Sequence, residues 1–242
     1  YDGSSWTEVA DLNTARRGLG QGGTQTAAIA IAGSQGPPGS AEEVETWDGS
    51  SWTEVADVNT TRELGASLGP SNTSAIFVGG IIEPGSSLSA VVEQWNGTSW
   101  TEIADINTAR RESDGAGTVT AGIVIGGGTP GHVANVESWN GSAWTETTDV
   151  NTARRQACAA GIQTYALFIG GANPNAVTNV EQWDGSSWAE IADIGTATRD
   201  MAATGTASLA LGAGGYDPGD PGRSTETFEW TVAASAQTIA FD

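Results

Sequence analysis

The chain has 242 residues, 29 of them acidic against nine basic, for a net charge of −20, and every basic residue is arginine. A surface this anionic repels phosphate backbones and acidic membranes, which argues against nucleic acid as a partner, and the absence of lysine removes Schiff-base chemistry. No apolar run approaches the roughly 18 residues of a membrane helix, and a single cysteine, Cys158, excludes an intrachain disulfide framework.

In chain order, the first segment is YDGSSWTEVADLNTARR (1–17), and it is the first of five versions of one motif. The others begin at Val44, Val92, Val136 and Val180, and the second tryptophan of each version falls at Trp6, Trp52, Trp100, Trp144 and Trp188. A period of 44 to 48 residues marks an array in which each copy is one supersecondary unit. The chain opens at Tyr1, without Met and in the middle of a repeat, as expected of a processed protein or a segment of something longer.

Within a copy, Val-Glu-x-Trp alternates as a half-buried strand does. Asp-Gly or Asn-Gly then predicts a tight hairpin turn, and Trp-Thr-Glu-Val starts the returning strand. After each arginine come a Gly/Ala-rich run (GLGQGG, LGASLG, SDGAG, QACAAG, MAATG) and an apolar run closed by glycine (IAIAG, IFVGG, IVIGG, LFIGG, and LGA before Gly214–Gly215). Four short strands per repeat and no helical period predict an all-β, five-bladed β-propeller of four-stranded antiparallel blades. The blades are expected over approximately 17–56, 62–104, 110–148, 154–192 and 199–232, one domain over 1–232, with 233–242 as a C-terminal tail. The last blade lacks a Trp-x-Glu strand of its own, so residues 1–10 are expected to supply it and close the ring, protecting the sheet edges. The small residues of the first strands suit close backbone approach at the axis.

The order of arginine, small-residue strand, apolar strand with Gly-Gly, variable loop, Val-Glu-x-Trp, turn and Trp-x-Glu-Val resembles the kelch repeat, from Tyr1 to about Phe228. It departs from the usual pattern in carrying Trp where Tyr is common before the turn, and in its uniform NTARR connector. That wording also resembles kelch-like repeats of environmental bacteriophage and marine microbial sequences. The copper-oxidase branch of kelch-like propellers needs histidine and a Tyr-Cys arrangement that this chain lacks.

The tryptophans Trp6, Trp52, Trp100, Trp144 and Trp188 are expected to fill the wedges between blades, each burying roughly 200 Å² for on the order of 5 kcal/mol as an upper bound. The repeat-locked arginines, Arg16, Arg62, Arg110, Arg154 and Arg199 with their neighbours Arg17, Arg111 and Arg155, follow a connector that begins Asn-Thr in four copies, and are expected to pair with carboxylates between blades. An anion-binding ring at the entrance is the alternative. Cys158, among small neighbours, reads as a packed structural thiol.

Catalytic chemistry has little to draw on. His132 is the only histidine, so neither a transition-metal site nor a His relay is supported, and no cofactor is expected. A carboxylate pair of the glycosidase kind remains as a minor alternative. The repeat is broken in five Pro/Gly loops at 34–42, 81–89, 128–134, 172–178 and 216–224, which share one face with the connectors. Loops on a rigid scaffold are where recognition resides, and Tyr216, Asp217, Asp220, Arg223, Gln35, His132 and Asn173 are the candidate binding residues. Asp217 and Asp220 also form a weak Ca²⁺ candidate with too few ligands. Asn59, Asn72, Asn96 and Asn140 head N-x-Ser/Thr triplets. The expected function is a non-enzymatic interaction or structural module, extracellular or virion-associated, with a protein partner in a larger assembly; the alternative is a secreted multivalent lectin binding a surface glycan.

Overall fold

The computed structural model describes residues 3–36, 39–84, 86–219 and 222–231, with backbone alone for Pro70 and Gly222. Asp220 and the tail 233–242 lie outside the described residues. The described residues contain no helix, and the strands assemble as five antiparallel sheets, the blades of a β-propeller.

In blades one to four each sheet is an up-and-down meander of four strands. The first strands, nearest the axis, are Gly20–Thr24, Ala66–Ser71, Asp114–Gly117 and Cys158–Ile162. The second are Ala27–Ser34, Ser74–Val78, Gly122–Ile125 and Tyr165–Ile169. The third are Ser40–Trp47, Val92–Trp95, Val136–Trp139 and Val180–Trp183. The outermost are Trp52–Val55, Trp100–Ile103, Trp144–Glu146 and Trp188–Glu190. Register is fixed at the turn: Trp47 faces Trp52, Trp95 faces Trp100, Trp139 faces Trp144 and Trp183 faces Trp188.

These indole pairs, with ring centroids 5.1–5.5 Å apart, knit the molecule in two directions. The first indole of a pair donates within its blade, as from Trp95 Nε1 to the Asn72 carbonyl, 2.9 Å. The second reaches backwards: Trp100, Trp144 and Trp188 donate to the carbonyls of Ala56, Ala104 and Thr148 at the end of the preceding blade, each 3.0 Å. An aromatic body in the wedge with its N–H satisfied at the rim is what an indole needs to be buried without loss. Apolar clusters accordingly fill the wedges between blades one and two, two and three, three and four, and four and five.

Blade five differs. Its sheet has three strands among the described residues, Ala202–Thr206, Leu209–Ala213 and Thr227–Thr231. Residues 3–10, expected to add the fourth, carry no strand among the described residues and are exposed, while residues 1, 2 and 232 onward lie outside the described residues. Trp6 is 59% exposed, and Trp52, which faces the same wedge, is half-buried. The physical reason lies in connectivity. The other outer strands return through an Asp/Asn-Gly turn, whereas this pairing would join opposite ends of the chain with no turn to set its register.

The open seam shows again at the axis. Gly18, Leu64, Glu112, Gln156 and Asp200 occupy equivalent positions, all left-handed with φ of 55–60°. The N–H groups of Leu64, Glu112, Gln156 and Asp200 donate to the carbonyls of Gly18, Leu64, Glu112 and Gln156, at 2.7–2.9 Å. Among the described residues the fifth bond, from Gly18 to Asp200, is not made. Four of these residues are not glycine, and the inter-blade bonds offset the strain of about 1 kcal/mol or more that each incurs.

Candidate functional site

The connectors are built around a buried carboxylate. In blade two the Glu93 side chain accepts from the backbone N–H and Nδ2 of Asn59, both at 2.7 Å, from the Thr60 N–H at 3.1 Å and from Arg62 at 2.5 Å. The same latch joins Asn13, Thr14 and Arg16 to Glu45, Asn107, Thr108 and Arg110 to Glu137, and Asn151, Thr152 and Arg154 to Glu181. Both charged side chains are essentially inaccessible in all four. Burial pulls the Arg62 and Arg154 guanidiniums below their usual range, and the bond to the glutamate offsets part of that. Arg62 and Arg154 also lie over the rings of Phe77 and Phe168, at 4.5 and 4.3 Å.

The arginines depart from the sequence expectation in two ways. The carboxylate belongs to the third strand of the blade the connector enters, so the ion pair lies within a blade. Arg199 belongs to a different set: its backbone bridges Tyr216 as Arg17, Glu63, Arg111 and Arg155 bridge Ser34, Ile81, Gly128 and Ala172. The latch position itself holds Thr198. Blade five has lost the whole latch, with Gly195 for the asparagine, Thr198 for the arginine and Phe228 for the glutamate, which sits opposite Gly212 as Glu181 sits opposite Phe168. Removing one member alone would leave a buried charge unpaired.

The arginine-position bridges bring every variable loop onto the connector face. Three loops contain a two-residue ladder that the sequence did not reveal: Ile81–Ile82 with Ser87–Leu88, Gly128–Thr129 with Gly131–His132, and Tyr216–Asp217 with Gly222–Arg223. Of the candidate binding residues, Gln35 is exposed and donates to Glu43, and Asn173 is exposed at the loop of blade four. His132 sits half-buried in its ladder with Nε2 unpartnered. Tyr216 and Arg223 face each other across the ladder of the fifth loop, and Asp217 Oδ1 accepts from the Gly219 N–H at 2.7 Å, as a turn carboxylate does. The described residues contain no group of three or more potential metal ligands. The side chains of Asn59 and Asn72 are engaged, on Glu93 and on the Trp47 carbonyl, leaving neither amide free for a glycan.

Around the mouth, Glu112 lies 3.0 Å from Arg155 and 3.7 Å from Arg111, and Asp200 lies 3.8 Å from Arg199 and accepts from Gln156 at 3.2 Å. Arg199 stacks over Tyr216 at 4.7 Å. Burial pushes the Asp200 carboxyl up. Deeper in, Asp114 accepts from the N–H of Ala159 on the next blade and from Gly115, both at 2.8 Å, and burial raises it to about 6. Ser67 ties blade two to blade one in the same way, accepting from the Gln21 N–H and donating to its carbonyl. In blades one and four the free edge of the first strand is thus satisfied by a short polar side chain of a neighbouring blade. Cys158 is buried, and burial pushes its thiol up, away from reactivity.

No family model matches the chain, and no curated protein matches it. What a reader of the sequence misses at this site, the latch glutamates and Asp114, had a usable signal in one case: Asn, Arg and Glu disappear together from the fifth repeat.

On the opposite face, the Asp/Asn-Gly-Ser turns are closed on themselves. Asp48 and Asp184 accept from the side chain and backbone of the serines that follow, which holds their carboxyls down at about 2. Asn96 and Asn140 make the same bonds without charge.

Proposed function

We propose that the chain is a non-enzymatic interaction module, kelch-like in its blade pattern, acting extracellularly or on a virion as part of a larger assembly and recognising its partner through the connector face. The observation that carries this reading is the separation of the two faces. Residues copied through blades one to four are saturated by one another in latches, indole pairs and self-closed turns. Residues that differ between blades gather at the connector face, on loops held by rigid blades. The resemblance to phage and marine microbial repeats supports the virion setting. A multivalent lectin reading draws less support, because the repeated turns that would form equivalent glycan pockets spend their carboxylates and amides internally.

The test replaces residues 216–223 with a short Gly-Ser turn and compares both proteins for co-sedimentation with particles from the native source and on a glycan array. The reading expects binding by the parent chain, loss in the variant and coincident thermal transitions. Equal binding by the variant overturns it, and binding of several equivalent neutral sugars per chain establishes the lectin instead.

A further inference from the structure

The chain's few cations are distributed very unevenly. Four of the nine arginines are sealed in latches. The remaining five, Arg17, Arg111, Arg155, Arg199 and Arg223, all lie in the connectors and the loop of the connector face. Arg17, Arg199 and Arg223 line, together with Tyr216, one cavity of about 750 Å³ at the channel mouth, walled by all five blades.

The acids of that cavity are already committed. Glu112 is held by Arg111 and Arg155, Asp200 by Gln156 and Arg199, and Asp114 by two backbone N–H groups. Arg17 and Arg223 carry no ion pair among the described residues, and Arg199 meets Asp200 only loosely, 3.8 Å from Nε, with no hydrogen bond at that atom. The site also breaks the repeat, since Tyr216 stands where the other blades place Ser34, Ile81, Gly128 and Ala172.

The geometry points to a binding site at this seam for a small, singly charged carboxylate on a ring-shaped ligand, an acidic sugar of the uronic acid class. Guanidinium groups match a carboxylate in plane and charge. The half-exposed Tyr216 ring, backed by Arg199, offers a face to the sugar's C–H groups. A volume of several hundred Å³ suits a ligand of one or two sugar rings. The net charge of −20 selects against multiply charged ligands, because each added negative charge meets the field of the whole molecule. This assignment rests on the connector face being the recognition face and adds the class of ligand.

The test titrates the full chain with galacturonate, with neutral galactose and with inorganic phosphate, by calorimetry and by NMR. Galacturonate is expected to bind with a Kd on the order of 1 mM or tighter, galactose at least about tenfold more weakly, and binding should weaken with salt. Arg223→Gln and Arg17→Gln, on exposed or partly exposed side chains, should each lower affinity about tenfold with unchanged melting, and Arg223→Lys should recover part of it. Absence of galacturonate binding, equal binding of galactose or phosphate, or full affinity in both glutamine variants overturns the assignment. If galacturonate fails while particle binding still depends on residues 216–223, the ligand class falls and the interaction face stands.

Discussion

At the scale of single residues, buried Glu137 and Arg110 are each tolerable only because of the other. Removing one partner of a buried, hydrogen-bonded ion pair costs about 3–5 kcal/mol, whereas replacing both by apolar groups costs far less. Urea unfolding should therefore show Arg110→Met and Glu137→Leu each strongly destabilised, and the double variant closer to the parent than the singles sum to. Singles within about 1 kcal/mol of the parent would remove the latch from the account. The tryptophans divide in the same manner. Trp100→Ala empties a filled wedge and breaks the bond to Ala56, with an expected loss of roughly 3–5 kcal/mol. Trp6→Ala, at a ring that is 59% exposed, should cost distinctly less. Equal losses in thermal unfolding would mean that Trp6 is packed after all. The sequence made these two tryptophans look alike, because the motif around them is the same and only their neighbours in space differ.

At the scale of strands and connectors, the turn dipeptides, the glycine-ended second strands and the thin first strands were all legible, since each follows from local backbone chemistry. Gly80 illustrates why: a Cβ there would lie 2.6 Å from the Glu63 carbonyl of the connector. The loop ladders and the left-handed ring at the axis were not legible. Leu64 is left-handed because blade one accepts from its N–H and blade three donates to its carbonyl, and nothing in Arg-Glu-Leu-Gly announces that. Asp114 was hidden for the same reason, its partner being the edge of the neighbouring blade. It yields a prediction with a definite sign. Its folded-state affinity for a proton exceeds that of the unfolded chain, at about 6 against 3.8. Its contribution to stability is therefore complete below about pH 4, declines as the pH rises and is lost above about 6. Asp114→Asn should flatten the pH dependence of stability between these limits, and a variant with the parent's slope there would show that the carboxyl is well hydrated.

At the scale of the whole molecule, fivefold repetition of the motif does not give five equal blades. Blades one to four share latches, indole pairs and filled wedges. Blade five has lost its latch, keeps three strands among the described residues and borders a seam where a cavity of about 500 Å³ lies between Trp6, Trp52 and Leu211 and continues into the channel. The number of blades was legible from the period, but the inequality was not, because closing a ring depends on contacts between opposite ends of the chain. The same seam carries Tyr216 and, without ion pairs among the described residues, Arg17 and Arg223, so the least constrained part of the scaffold coincides with its most individual surface, as binding sites often do. Native-state amide hydrogen exchange tests this most directly. Four latched blades and one open blade predict slow exchange in Val92–Trp95, Val136–Trp139 and Val180–Trp183, and much faster exchange in Thr227–Thr231 and in residues 3–10. Uniform protection across all five blades, with residues 6–10 as slow as Trp144–Glu146, would contradict it and establish a closed, evenly stabilised ring.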